Sequence, residues 1–181
     1  MDIQPDELRK KLTPEVRERI LRDNWHSHDA RWFLKVSQEL GFDVANRLNQ
    51  TTLRSHTKTD LKRILQAIEC KEVENTNDIA TIFKIAADLY FPRPMLEIET
   101  KEISTDSIAI VINRCPTFEE VKKAGIIGLY ECPCLIRFES WLDVCGFNGK
   151  VEIQTSMMQG DSICEILLSS ISPKSNGRIP N

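Results

Sequence analysis

The chain has 181 residues, 41% hydrophobic and 28% charged, with a net charge of −3. That length sets one domain, or one domain with a helical extension, burying about two-thirds of its unfolded surface. Charge and composition exclude two partner classes: no basic stripe invites nucleic acid, and no apolar run is long enough to span a bilayer.

The polar start, Met1 to Asp6, carries no signal segment, so a cytoplasmic setting is expected. There the six cysteines are reduced thiols, metal ligands or buried fillers and not disulfides. Up to residue 91 the chain has a single glycine, Gly41, and reads as helix almost throughout. A short helix is expected over Asp6–Leu12. Thr13 then caps a second helix, with Pro14 at its first position and Gly41 at its end. Its apolar positions Ile20, Leu21, Trp25, Trp32, Phe33, Val36 and Leu40 recur at helical spacing. A short helix over Asp43–Leu48 follows, and Thr51 or Thr52 starts another through Leu53, Leu61, Ile64, Leu65 and Ile68. Thr76 caps a last one over Ile79–Tyr90, whose apolar stripe needs a partner surface.

Pro92 and Pro94 end the helical half, because neither can continue a helix and each biases the preceding residue to extended geometry. Strands are expected at Leu96–Thr100 and Ile108–Asn113, then a helical insert over Thr117–Cys145, then strands at Val151–Thr155 and Ile163–Leu168. Ile108 to Ile112 is apolar on both faces and belongs in the centre of the sheet. The predicted class is α+β: an N-terminal helical layer packed on a four-stranded antiparallel sheet, with the insert between strand pairs. Residues 1–91 form the helical region, 95–171 the strand–strand–helices–strand–strand module and 172–181 a disordered tail, the whole one compact unit.

Two stretches carry chemistry. Trp25, His28 or Asp29, and Trp32 stack along one helix face, so a histidine or carboxylate sits among indoles facing the core. Such a group is either an acid/base or ligand contact, or a core residue tied to a partner. On this register His28 is buried and His26 exposed. The second stretch is Glu131-Cys132-Pro133-Cys134. With Pro133 at the first helical position, Cys132 is the N-cap and Cys134 lies in the first turn, where the helix dipole favours thiolate. Cys134, Phe138, Trp141 and Cys145 also share helical spacing, so Cys134 and Cys145 fit a core. A metal site would need Cys115 or Cys164 beside Cys132 and Cys134, with zinc or iron as the cofactor. Thr117 and Glu120 fit a capping box after Cys115. His56 and Cys70 have no neighbours in sequence that single them out. Nucleotide, serine-hydrolase and metalloprotease motifs are missing.

The two strands, Cys115-Pro116, the insert with Gly125 and Gly128, the cysteine-bearing helix and the turn Gly160-Asp161-Ser162-Ile163-Cys164-Glu165 together resemble the 4-vinyl-reductase-type ligand-binding module. The whole chain, through Trp25, His28-Asp29, Trp32-Phe33, Gly41-Phe42 and Ala45-Asn46, is similar to uncharacterised prokaryotic cytosolic proteins allied to the L-2-amino-thiazoline-4-carboxylic acid hydrolase-like family. The resemblance implies site positions at His28, Asp29, Cys132 and Cys164. The leading functional expectation is a small-molecule-binding protein, its pocket between the helical half and the sheet, lined by Trp25, His28, Asp29, Trp32, Cys132 and Cys134. Its alternative is a thiol- or metal-dependent hydrolase of a small amidine or thiazoline-like substrate, with Cys132 as nucleophile or ligand and His28 as base. A third reading is a homodimeric interaction module formed through an apolar helix stripe.

Overall fold

A computed structural model describes residues 5–175. The chain divides into two compact units, Met1–Ala45 and Asn46–Asn181.

The first unit holds α1 (Pro5–Lys10) and α2 (Pro14–Leu40). Thr13 caps α2 as expected, its hydroxyl accepting the Val16 N–H, and proline opens the first turn. Gly41 ends the helix at φ 86°, a left-handed value that favours glycine, and its N–H bonds the Ser37 carbonyl. The buried positions of α2 are Phe33 and Ser37, one turn apart, while Leu21 and Leu40 are exposed.

Helix α3 (Phe42–Ala67) runs unbroken across the stretch where two helices were expected. Thr51 or Thr52 was expected to start the second of them. Thr51 instead donates its hydroxyl to the Arg47 carbonyl one turn back, which keeps it inside the helix. Helix α4 (Thr76–Tyr90) is capped by Asn75, one residue before the expected Thr76, its side chain accepting from the Asn77 and Asp78 N–H groups.

The sheet half follows the expected order, with longer strands. Strands β1 (Glu97–Ser104) and β2 (Ser107–Arg114) form a hairpin. Helices α5 (Pro116–Lys123) and α6 (Cys134–Val144) cross over to β3 (Phe147–Thr155), and β4 (Cys164–Pro173) returns between β2 and β3. The sheet order is β1-β2-β4-β3, antiparallel at every step. At the start of α5 the expected Thr117–Glu120 capping box is replaced: Cys115 is the N-cap, without a side-chain cap bond. Strand β4 continues to Pro173, paired with Phe147, two residues into the stretch read as tail, and 176–181 lie outside the described residues.

Strand β2 is central, and every residue from Ile108 to Ile112 is buried, as its doubly apolar pattern required. Ile108, Ile110 and Ile112 join Ile166 and Leu168 of β4 in one core with Leu61 and Leu65 of α3, Ile79 and Phe83 of α4, and Phe138 and Trp141 of α6. Phe83 packs its ring on Phe138 at 5.7 Å and on Trp141 at 5.3 Å. Each such side chain contributes about 1.5–3 kcal/mol by leaving water, so this cluster is what holds α6 in position. The site depends on that placement.

Candidate functional site

Antiparallel pairing sets Cys164, the first residue of β4, opposite Ile112 near the end of β2. Cys115 follows that strand at once, so the ladder brings two distant cysteines to one end of the sheet. The segment leading into α6 is held by α3. Asn46, 4% exposed, donates its amide to the Leu129 carbonyl at 2.8 Å and accepts the Glu131 N–H at 3.1 Å. Gln50 adds a 2.6 Å bond to the Glu131 carboxylate. The backbone immediately before Cys132 is therefore fixed.

The helix begins one residue later than expected. Pro133 is the N-cap and Cys134 the first helical residue, which leaves Cys132 just outside the helix. Its acidity has a different main cause from the helix terminus. The Cys132 and Cys134 sulfur atoms hydrogen-bond at 3.1 Å. Cys134 keeps its proton and donates it, so Cys132 is held down at about 7 against burial, with help from the Cys134 backbone N–H and the Arg137 guanidinium. Cys134 is pushed far up by the same pairing and by burial. Burial also raises Cys115 to about 11, Cys145 to about 12, and Cys164.

A second group surrounds Arg137. This residue lies one turn after Cys134 on α6, with its guanidinium 5.6 Å from the ring of Trp141, one further turn along. From α3, Asp60 enters the core at 2% exposure, with a carboxyl oxygen 3.7 Å from His56 Nε2. The Leu61 backbone N–H and the Trp141 indole N–H also approach this carboxyl and favour its charged form. Burial raises the Asp60 pKa, opposed first by Arg137 and then by His56. Tyr90 of α4, raised to about 12 by burial and by Asp60, stands edge-on to His56 at 6.5 Å between ring centroids. Arg137 acts electrostatically on both Cys132 and Asp60.

Sequence reasoning missed Asp60, Tyr90 and Arg137 and set His56 aside. A signal was present: Thr57, Asp60, Leu61 and Ile64 follow the stripe spacing of a buried helix face, and a carboxylate on such a face needs a reason. His56 sits one turn before it.

The residues expected on α2 fall differently. Trp25, His28, Asp29 and Trp32 belong to the first unit, and Cys132 and Cys134 to the second. His28 and Asp29 are exposed, while His26 is half-buried with its ring 4.9 Å from that of Trp25, the reverse of the expectation. The register explains it. The buried face is set by Phe33, and His26, seven residues earlier, returns to that face after about two turns, whereas His28 lies about 140° away. Cys115, Cys132, Cys134 and Cys164 influence one another electrostatically. Among the described residues no three His, Cys, Asp or Glu side chains are grouped as ligands of one metal ion. No helix of the described chain is long and apolar enough to cross a membrane.

The structure is thus an α+β fold with two paired thiols where its crossover helix begins. The chain belongs to the L-2-amino-thiazoline-4-carboxylic acid hydrolase family, whose model matches residues 6–168. No curated protein matches it. Among solved structures, a trafficking protein particle complex subunit 3 from Naegleria fowleri, covalently bound to palmitic acid, is similar at 12% identity and a TM-score of 0.49, over 92% of this chain and 99% of that one.

Proposed function

We propose that the protein is a thiol hydrolase of a small cyclic amidine that carries a carboxylate, with Cys132 as nucleophile. The observation that carries this reading is the Cys132–Cys134 pair, in which one sulfur is thiolate near neutrality while its neighbour keeps a proton. Membership of the family supports the substrate class: an amino-thiazoline is a cyclic isothiourea, electrophilic at the carbon between its nitrogens and sulfur.

The Cys132 thiolate adds to that carbon, and the adduct collapses by breaking the ring C–S bond. The departing ring sulfur takes the proton that Cys134 holds. Water then adds to the S-linked isothiourea, one of its protons going to the amidine nitrogen and the other restoring the Cys134 thiol, and the Cys132 thiolate is expelled, giving a urea and a free thiol. The net change is one water added. Arg137 supports the thiolate and provides a cation for the substrate carboxylate.

Binding without turnover is the second reading, favoured by one observation. The groups that shift Cys132 are Cys134, burial, a backbone N–H and Arg137, and no imidazole or carboxylate is among them. Incubation of the protein with L-2-amino-thiazoline-4-carboxylate separates the two. A hydrolase releases the ureido thiol, detectable by a disulfide colour reagent, and Cys132→Ala abolishes release. Saturable binding with no product in the wild type would establish the binding reading instead.

A further inference from the structure

The two sulfur atoms of the candidate site stand close to bonding position. Cys132 Sγ and Cys134 Sγ lie 3.1 Å apart, and a disulfide needs about 2.05 Å, so an approach of about 1 Å would join them. Pro133 between them has φ −88° and ψ 21°, a near-helical turn that keeps the flanking Cα atoms within the span of about 4.4–6.8 Å that such a bond tolerates. Both ends are anchored. The Asn46 side chain grips the backbone at Leu129 and Glu131, just before Cys132, while α6 begins at Cys134 and is held in the core by Phe138 and Trp141. Neither thiol is sealed off, since Cys132 and Cys134 are both part-exposed, whereas Cys145 is buried. Other sulfurs have other contacts: Cys164 Sγ accepts the Met157 N–H at 3.3 Å, and Cys70 Sγ donates to the Glu72 carbonyl at 3.4 Å.

We infer that Cys132 and Cys134 are a dithiol–disulfide couple, closed by a small hydroperoxide and reopened by a small dithiol, that switches the site off and on. The Cys132 thiolate attacks one peroxide oxygen, the O–O bond breaks, and the departing oxygen takes a proton from water. Cys132 is now a sulfenic acid, oxidised by the two electrons that reduced the peroxide. The Cys134 sulfur then attacks the sulfenic sulfur, the S–O bond breaks, and hydroxide leaves with the Cys134 proton as water. The two thiols suit these two roles, one being thiolate near neutrality while the other holds a proton to give up. Once Cys132 is a neutral sulfenic acid, the charge that helps push Cys134 up is gone, which frees the second thiol to react. The closed loop is short and gains little stability from its closure, so it belongs to the reducible class of disulfides, opened by thiol exchange. That closure stops hydrolysis rests on the reading of Cys132 as nucleophile; the closure itself does not.

The test treats the full-length wild type with a small excess of hydrogen peroxide at neutral pH, blocks free thiols with N-ethylmaleimide and maps tryptic peptides without reduction. Residues 124–137 follow Lys123 and end at Arg137, and they contain Cys132 and Cys134 and no other cysteine. Closure should therefore appear in that one peptide as the loss of both maleimide labels and of two hydrogens in mass. Dithiothreitol should restore both labels, and turnover of L-2-amino-thiazoline-4-carboxylate should fall with closure and return on reopening. In Cys134→Ser, Cys132 should stop at the sulfenic acid and be captured by dimedone. Labels that persist under peroxide, a bond from Cys132 to Cys115 or Cys164, sulfinic acid at Cys132 with Cys134 still labelled, or unchanged turnover in the closed protein overturns the inference. Should Cys134→Ser fail to fold, the wild-type map decides alone. Failure of the hydrolase reading looks different: the peptide closes and reopens while the untreated wild type turns over no thiazoline.

Discussion

Replacing Cys134 by alanine isolates the cause of Cys132 acidity. The Cys134 thiol is the largest influence holding Cys132 at about 7; without it, burial is opposed only by the backbone N–H and Arg137, so the remaining thiol rises toward its ordinary 9.0. At pH 7 a thiol of pKa about 7 is about half thiolate, whereas one of 9.0 is about 1% thiolate, a loss of about fiftyfold in reactive species. Intrinsic nucleophilicity moves the other way. With a Brønsted slope of about 0.4–0.5, the two-unit rise makes each thiolate about eightfold more reactive. The net expectation is a drop of about sixfold in the rate of Cys132 alkylation by iodoacetamide at pH 7. Peptide mapping of the labelled protein, with rates taken from pH 5 to 10, measures it. In the wild type the rate should rise through about pH 7 and level off above; in Cys134→Ala the rise should move up toward pH 9. A midpoint near 7 in both proteins would refute the hydrogen-bonded pair as the cause.

Three further outcomes are expected. Arg137→Gln should move the Cys132 midpoint upward, by less than Cys134→Ala because the guanidinium is the smallest of the three lowering influences; a downward shift would contradict its placement. Asn46→Ala removes two bonds that hold the segment before Cys132, and should lower stability by about 1–3 kcal/mol in urea unfolding, an unchanged midpoint speaking against the clamp. Gly149→Ala would place a methyl 2.8 Å from Leu142 Cδ2 and 3.3 Å from the Ser169 carbonyl; in this packed region about 1–3 kcal/mol of destabilisation should appear as a lower melting temperature, and a rise would show that the strand yields freely.

Much of the fold was legible because periodicity and punctuation speak locally. Ile108 to Ile112 announced a central strand, and Thr13, Pro14 and Gly41 marked both ends of α2. The join inside α3 was misread because Thr51 and Thr52 look like caps, and only the bond from Thr51 back to Arg47 shows otherwise. At the site, the cysteine pair could be read from its spacing in sequence. What could not be read was the sulfur-to-sulfur contact, which replaces the helix end as the main reason for a low pKa. The histidine of the aromatic stretch was assigned by counting from the tryptophans, but Phe33 and Ser37 set the buried face, and that exchanges the roles of His26 and His28. Asp60, Tyr90 and Arg137 come from three different helices, and their meeting is a tertiary fact that no window along the chain reports.

Intact-mass spectrometry of the protein, acid-quenched during incubation with L-2-amino-thiazoline-4-carboxylate, tests covalent catalysis by Cys132 most directly. Ring opening by the thiolate expels nothing from the substrate, so the wild type should gain the full substrate mass, mapped to Cys132 and lost as turnover completes. Cys132→Ser should show neither adduct nor product. Product formation by Cys132→Ser at the wild-type rate, with no adduct in either protein, would contradict the assignment of Cys132 as nucleophile.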